Sequence, residues 1–178
     1  LWLPLQAAAA RPNVVFIMTD QQFAEAMSCR MGTRYLNTPA MDSLAARGVR
    51  FEKSYCTFPL CTPARASLDT SRMPHELNIL GNGKGIPKDV PTMGEIFRKV
   101  GYNTAWDGKW HVPVPYPGFN SDPQKGGPRG FEVLALEGPK HRSNPNVGPG
   151  MGSDPATVKA ALKFLRQPHK TPFLLTVS

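Results

Sequence analysis

Acidic side chains are scarce in this chain of 178 residues: 13 Asp and Glu stand against 21 Lys and Arg, for a formal charge of +8 and a pI of about 9.7. The surplus does not by itself indicate nucleic acid, because the basic residues are scattered and no basic run is longer than two. Attraction to an acidic substrate fits the balance equally well, and no nucleic-acid partner is expected. Long apolar runs are also missing. None approaches the roughly 20 residues that cross a bilayer, so no transmembrane segment is expected. Cysteine is sparse at three, Cys29, Cys56 and Cys61, which leaves an odd thiol in an oxidising compartment. Neither an initiating Met nor a basic leader precedes the apolar opening Leu1-Trp2-Leu3-Pro4-Leu5-Gln6, which runs into four alanines.

That opening resembles the tail of a secretory signal peptide, so residues 1–10 read as its remnant and the protein as exported, periplasmic or secreted. The remaining length suffices for one core, with 40% hydrophobic residues, and 19 prolines with 16 glycines give loops a large share.

The stretch with most chemical content is Pro59-Leu60-Cys61-Thr62-Pro63-Ala64-Arg65-Ala66-Ser67-Leu68. Thr62 before Pro63 reads as a helix start, with the hydroxyl at the N-cap and proline at the first helical position. Cys61 then lies just ahead of a helix N-terminus, where free N–H groups and the dipole favour an anion. Arg65 lies one turn on, within reach of the same spot. A buried structural cysteine before an ordinary helix fits these residues equally well.

Val14-Val15-Phe16-Ile17-Met18 reads as a strand buried on both faces, ending at Thr19-Asp20. Asp20 falls at the carboxyl end of that strand, where open α/β sheets place their ligands, and with Gln21 and Gln22 it offers hard oxygen donors to a divalent cation. A capping aspartate at a strand-to-loop turn is the competing reading. Thr38-Pro39 to Gly48 reads as a short helix closed by a left-handed glycine, with Met41, Leu44 and Ala45 facing the core. Val49 to Tyr55 alternates like a short strand. Thr92-Met93-Gly94-Glu95 is a capping box opening a helix that ends at Gly101. Tyr102 to Trp106 suits a further strand, and Lys109 and His111 at its carboxyl end would share one face of extended backbone. There they could neutralise an oxyanion and protonate a leaving oxygen. His75, beside Pro74, reads as surface structure. Residues 112–150 read as loop, with Lys140, His141 and Arg142 as its basic cluster. A helix from Asp154 to Leu165, capped by Ser153 or Asp154, and a buried strand from Pro172 to Ser178 follow. Strands alternating with helices imply an α/β fold, a mostly parallel sheet covered on both faces.

Three segments carry a family resemblance. Cys61-Thr62-Pro63-Ala64-Arg65 resembles the Cys-x-Pro-x-Arg motif of type I sulfatases. Pro12 to Gln22 is similar to their opening strand, and Gly101 to His111 resembles their second signature. The resemblance implies the alkaline-phosphatase-like sulfatase fold and sulfuric ester hydrolysis. It implies that Cys61 is oxidised to formylglycine (3-oxoalanine), whose hydrate attacks sulfur. Asp20, Gln21 and the modified Cys61 would ligate a divalent metal, calcium, with magnesium or manganese as alternatives. Arg65 would orient the hydrate, Lys109 would bind sulfate, and His111 would bind it or move a proton. The implied partners are a sulfated small molecule or glycan and a formylglycine-generating or equivalent maturation enzyme. With Cys61 modified, Cys29 and Cys56 are left as a candidate disulfide.

The departures are specific. Asp20 is followed by Gln21 where many members carry two aspartates, a variant also found in the phosphonate monoester hydrolase branch. Asp69 and Ser71 stand where a hydrophobic residue and a glycine are usual, and Asp107 where a small or apolar residue is usual. Residues 11–178 are accordingly expected to be the N-terminal part of a sulfatase catalytic domain, inactive alone, because the family's later histidine, carboxylate and lysine fall beyond Ser178. Phosphonate or phosphodiester hydrolysis on the same scaffold, and a non-catalytic anion- or glycan-binding remnant, are the alternatives.

Overall fold

The computed structural model describes residues 11–113, 127–134 and 154–178. The leader reading of residues 1–10, the cluster Lys140-His141-Arg142 and the cap at Ser153 or Asp154 lie outside what it describes. In chain order the elements are β1 (Val14–Ile17), α1 (Ser28–Met31), α2 (Pro39–Arg47), α3 (Cys61–Thr70), α4 (Met93–Lys99), β2 (Asn103–Asp107), β3 (Glu132–Val133), α5 (Asp154–Leu165) and β4 (Phe173–Val177). The chain divides into two compact units, one of Thr19–Cys56 and one of the residues before and after it.

The larger unit is built on a four-stranded parallel sheet ordered β1-β4-β2-β3. Strand β4 is central: Leu174 pairs with Val14 on one side and Thr104 on the other, and Phe173 to Leu175 are buried. A strand between two parallel neighbours meets helices on both faces, hence its unbroken apolar run. On one face Trp106, Trp110, Phe131 and Leu174 form a core with Ala66 of α3, against which Phe97 of α4 packs. On the other, Ala105, Phe173 and Leu175 pack with Ala161 and Phe164 of α5. The α/β architecture expected from the sequence is therefore present. Trp106 centres the first core, its ring edge-on to Trp110 at 4.9 Å and Phe131 at 5.4 Å.

Strand β1 departs from expectation. Among the described residues it pairs only with β4, and Ile17 is 65% exposed, so here it is not buried on both faces. Both kinds of strand can carry the same Val-Val-Phe-Ile string. The α4 capping box is present as read: the Thr92 side chain accepts from the Glu95 amide and the Glu95 carboxylate accepts from the Thr92 amide. Gly101 has φ +86°.

Helix α3 begins two residues earlier than Thr62-Pro63 suggests. Leu60 is the extended N-cap, the Ala64 amide donates to the Leu60 carbonyl, and Cys61 is already the first helical residue. The helix ends on Ser71, left-handed at φ 56° and ψ 26°, its amide donating to the Ser67 carbonyl at 2.8 Å. A side chain there is strained, and glycine would relieve the clash at the cost of a freer unfolded chain. Ser71→Gly is expected to raise stability by about 0.5–1 kcal/mol, read as a higher thermal midpoint; an unchanged or lower midpoint contradicts the strain argument.

In the Thr19–Cys56 unit the Ser28 hydroxyl donates to Asp42 at 2.6 Å, and the Ser28 amide donates to the Thr38 hydroxyl at 2.8 Å. The Ser28 bond is the main reason the Asp42 carboxyl is held below its ordinary value. Thr38 spends its hydroxyl on Asp42 and Ser28 and makes no side-chain cap on α2. Gly48 is extended and not left-handed, and no residue of α2 is buried; Leu44 is 59% exposed. Residues 49–55 form no strand, since their alternation finds no ladder partner, and Val49, Phe51 and Tyr55 are exposed. Cys29 and Cys56 are exposed and are not joined in a disulfide.

Candidate functional site

The site of the larger unit lies where β2 and β4 end and the first turn of α3 meets them. Past Asp107 the two strands stay joined. The Ser178 amide donates to the Asp107 carbonyl at 3.0 Å and the Lys109 amide to the Ser178 carbonyl at 2.9 Å. Gly108 makes this possible: at φ +86°, a Cβ would lie 1.8 Å from the Ser178 oxygen. Trp110 and Val112 are buried and anchor the segment. Between them His111 is left-handed at φ 56°. Lys109 and His111 therefore do not share a face of extended backbone as expected, since the turn at Gly108 and the left-handed His111 break the strand geometry.

Helix α3 grips this segment at two points. Thr62, fully buried, donates its hydroxyl to the His111 carbonyl at 2.8 Å. One turn on, Arg65, 4% exposed, donates from one Nη to the Lys109 carbonyl at 2.7 Å and to Ser178 Oγ at 2.8 Å. Residues three apart lie on one helix face, so both bonds leave α3 in the same direction. The Thr62 amide, an orphan donor of the helix start, is met by Asn82 Oδ1 at 3.1 Å, a cap supplied by a distant loop. Lys109 Nζ stands 3.7 Å from Cys61 Sγ. Cys61 is half-buried at the first position of the helix. A nucleophile, a lysine ammonium and a helix N-terminus thus converge, an arrangement suited to an anion and to charge developing on an oxygen beside it.

Of the residues singled out from sequence, Cys61, Arg65, Lys109 and His111 are brought together by these contacts. Asp20 and Gln21 belong to the Thr19–Cys56 unit, where both are exposed in a turn closed by the Gln22 amide donating to the Asp20 carbonyl at 3.0 Å. Their oxygens are hard donors of the kind calcium and magnesium take. Among the described residues no group of three His, Cys, Asp or Glu could hold a metal. His75 is exposed, as read. Sequence reasoning missed Thr62 as a tether, Asn82 as a cap and Ser178 as a partner of Arg65. Only Thr62 carried any signal, as the hydroxyl residue beside the cysteine.

Two carboxyls are buried in the larger unit, Asp69 at the far end of α3 from Cys61 and Asp107 just before Gly108. Asp69, 2% exposed on the last turn of α3, is pushed up by burial from 3.8 to about 7; the Met93 amide and Arg129 oppose the shift, and Glu95 adds to it. Asp107, fully buried, is pushed by burial to about 6 against the amides of Gly108 and Ala161. Among the described residues no donor meets hydrogen-bond geometry on either carboxyl. A raised folded value means the unfolded carboxyl ionises more readily. Stability should be greatest below about pH 4, fall as pH rises through the window to about 7, and level off above. Asp69→Asn, which cannot ionise, is expected to gain stability over the parent at pH 7.5 but not at pH 4, by on the order of 3 kcal/mol. Melting curves at the two pH values check this; an equal shift at both contradicts it.

Comparisons with known proteins agree with this geometry. The chain is 43% identical over 102 residues to the uncharacterized sulfatase YidJ of Escherichia coli, covering 57% of this chain and 20% of that protein. It is 36% identical over 117 residues to the N-acetylglucosamine-6-O-sulfatase of Bacteroides thetaiotaomicron, covering 66% and 21%. The chain thus spans about a fifth of the length of these curated relatives. A structure solved in complex with its substrate D-glucosamine-2-N,6-O-disulfate superposes with a TM-score of 0.71 at 28% identity, over 94% of this chain and 34% of that one. A phosphonate monoester hydrolase of Agrobacterium radiobacter, at 22% identity and a TM-score of 0.70, shares the fold. The sulfatase family model matches residues 12–178, and the chain belongs to the sulfatase family.

Proposed function

We propose that the protein of which this chain is part hydrolyses sulfate esters of sulfated glycans, with the α3 N-terminus as the place where the ester is attacked. The observation that carries this is the 3.7 Å approach of Lys109 Nζ to Cys61 Sγ at the first position of α3. The relatives, an N-acetylglucosamine-6-O-sulfatase among them, support the substrate class.

The net reaction is R–O–SO3⁻ plus water giving R–OH and hydrogen sulfate. Sulfatases generally use formylglycine and a divalent metal; as formylglycine, Cys61 supplies an oxygen nucleophile in place of sulfur. Asp20 and Gln21 would hold the metal, calcium first, whose charge would favour the ionised form of that oxygen. The chain's other residues bind and orient. Lys109 places its ammonium beside the sulfate oxygens, and the positive end of the α3 dipole adds partial positive charge. Arg65 fixes the Lys109 carbonyl and so the root of that lysine. Its fixed cation also lies one turn from Cys61. His111 gives a proton to the departing alkoxide oxygen or binds sulfate. Maturation by a formylglycine-generating or equivalent enzyme belongs to this reading. Export is supported by the apolar opening of the sequence, and among the described residues no helix is long and apolar enough to cross a membrane.

Intact mass of the tryptic peptide holding Cys61, after expression with a formylglycine-generating enzyme, tests the nucleophile. Rates on an aryl sulfate and an aryl phosphodiester test the substrate. The expected result is an aldehyde-bearing peptide with the sulfate favoured. Preference for the diester would move the assignment to the phosphodiesterase branch suggested by Gln21, and modified protein idle on both would make it a binding module.

A further inference from the structure

One of the two grips of α3 on the site comes from a residue to which the proposed chemistry gives no role. We infer that Thr62 is a positioning residue whose hydroxyl holds the His111 carbonyl and thereby fixes the left-handed backbone of His111, two residues past Lys109. The inference rests on the proposed function for its kinetic consequences and on geometry alone for the tether itself.

Thr62 is the second residue of α3, directly after Cys61, and is fully buried. A threonine near a helix start ordinarily turns its hydroxyl to a local backbone amide. Here the hydroxyl leaves its own helix and donates across 49 positions of sequence to the His111 carbonyl at 2.8 Å. The helix end thereby needs another cap, and Asn82 supplies it at the Thr62 amide. The residue receiving the bond is a non-glycine residue at φ 56°, a conformation that persists only where the surroundings impose it. Its neighbours are both fixed in the core: Trp110 lies edge-on to Trp106, and Val112 is 1% exposed. Two buried anchors fix where the chain enters and leaves; the peptide between them can still rotate, and the Thr62 bond selects its orientation. Arg65 bonds the Lys109 carbonyl from the same face of α3. The helix that carries the nucleophile therefore also sets the backbone of both residues that face it, and the Thr62 share of that control is specific to His111.

The variants are Thr62→Val, which keeps the shape and loses the hydroxyl, and Thr62→Ser, which keeps the hydroxyl, both in the full-length protein. Because Thr62 adjoins Cys61, rates are expressed per formylglycine-bearing molecule, measured by peptide mass. Thr62→Val should lower kcat on an aryl sulfate by about 10- to 100-fold with KM changed less than about 3-fold, and Thr62→Ser should stay within about 3-fold of the parent. Crystal structures supply a readout independent of activity: His111 leaves the left-handed region in Thr62→Val and stays there in Thr62→Ser. Thr62→Ala serves in the same role if the valine variant does not fold. A His111 that keeps positive φ without the hydroxyl, or equal kinetic loss in the valine and serine variants, overturns the inference. If the modified parent protein fails to cleave sulfate esters, the proposed function falls, and the φ of His111 still decides the tether.

Discussion

Replacing Cys61 by alanine in the full-length protein is expected to lower sulfate-ester hydrolysis by on the order of 10⁴- to 10⁶-fold, the loss that follows when a nucleophile is deleted and the binding machinery is left in place. The reason is that no neighbour in α3 stands ready to substitute. The Thr62 hydroxyl points to the His111 carbonyl, and the Thr70 hydroxyl is bonded to the Ala66 carbonyl a full helix length away. The fold should not notice the change. Cys61 is half-buried, alanine is the best helix former, and the contact of Lys109 with the sulfur is a long one at 3.7 Å. Stability should stay within about 0.5 kcal/mol of the parent. Because Lys109 keeps its ammonium and α3 its dipole, the alanine variant should still bind a sulfated sugar. Calorimetric titration against turnover of an aryl sulfate separates the two effects. A variant that keeps a tenth of the parent rate would place the nucleophile elsewhere.

What was legible in the sequence was what is decided locally. The Thr92-to-Glu95 capping box, the apolar run of β4 and the glycine at 101 each state their structure within a few residues, and the structure has all three. The start of α3 was misplaced by two residues because Thr62-Pro63 is a sound local signal overridden from a distance: Asn82, twenty residues on, supplies the cap and frees the threonine for His111. The burial of β1 was overestimated because Val-Val-Phe-Ile does not say whether a second neighbour exists. Residues 49–55 alternate like a strand, but alternation is necessary for pairing and not sufficient. The unusual flank of the motif has a physical account only in three dimensions. Ser71 occupies a left-handed position that glycine would fill without strain. Asp69 and Asp107 are buried carboxyls, read from sequence only as unexpected charges. The site residues Cys61, Arg65, Lys109 and His111 were legible as motifs; that Arg65 and Thr62 act on the Lys109–His111 backbone was not, since those bonds join segments more than forty residues apart.

Arg65 is where fold and site depend on the same bonds, so its replacement is expected to damage both. The guanidinium is 4% exposed, and one of its nitrogens serves the Lys109 carbonyl and Ser178 Oγ at once. Methionine fills a similar volume and donates nothing, so both acceptors lose a charged donor inside the protein. At about 1–3 kcal/mol for each group left unsatisfied, with the Ser178 hydroxyl free to rotate toward another partner, Arg65→Met should cost about 2–4 kcal/mol. The activity loss should be larger, about 10³-fold in kcat, because the lost cation is one turn from Cys61 and the lost bond fixes the backbone from which Lys109 reaches the same point. Arg65→Lys separates the two contributions. A lysine restores a positive charge, but its ammonium ends one bond short of the Arg65 Nη that serves both acceptors and lacks the planar fork that holds that nitrogen in place. It should therefore recover part of the lost stability and little of the rate. The check is to measure thermal midpoint and kcat on an aryl sulfate for the parent, the lysine and the methionine variants, each corrected for formylglycine content. If the lysine variant turns over within about 3-fold of the parent, charge alone suffices at this position and the geometry of the fork is not what the site requires.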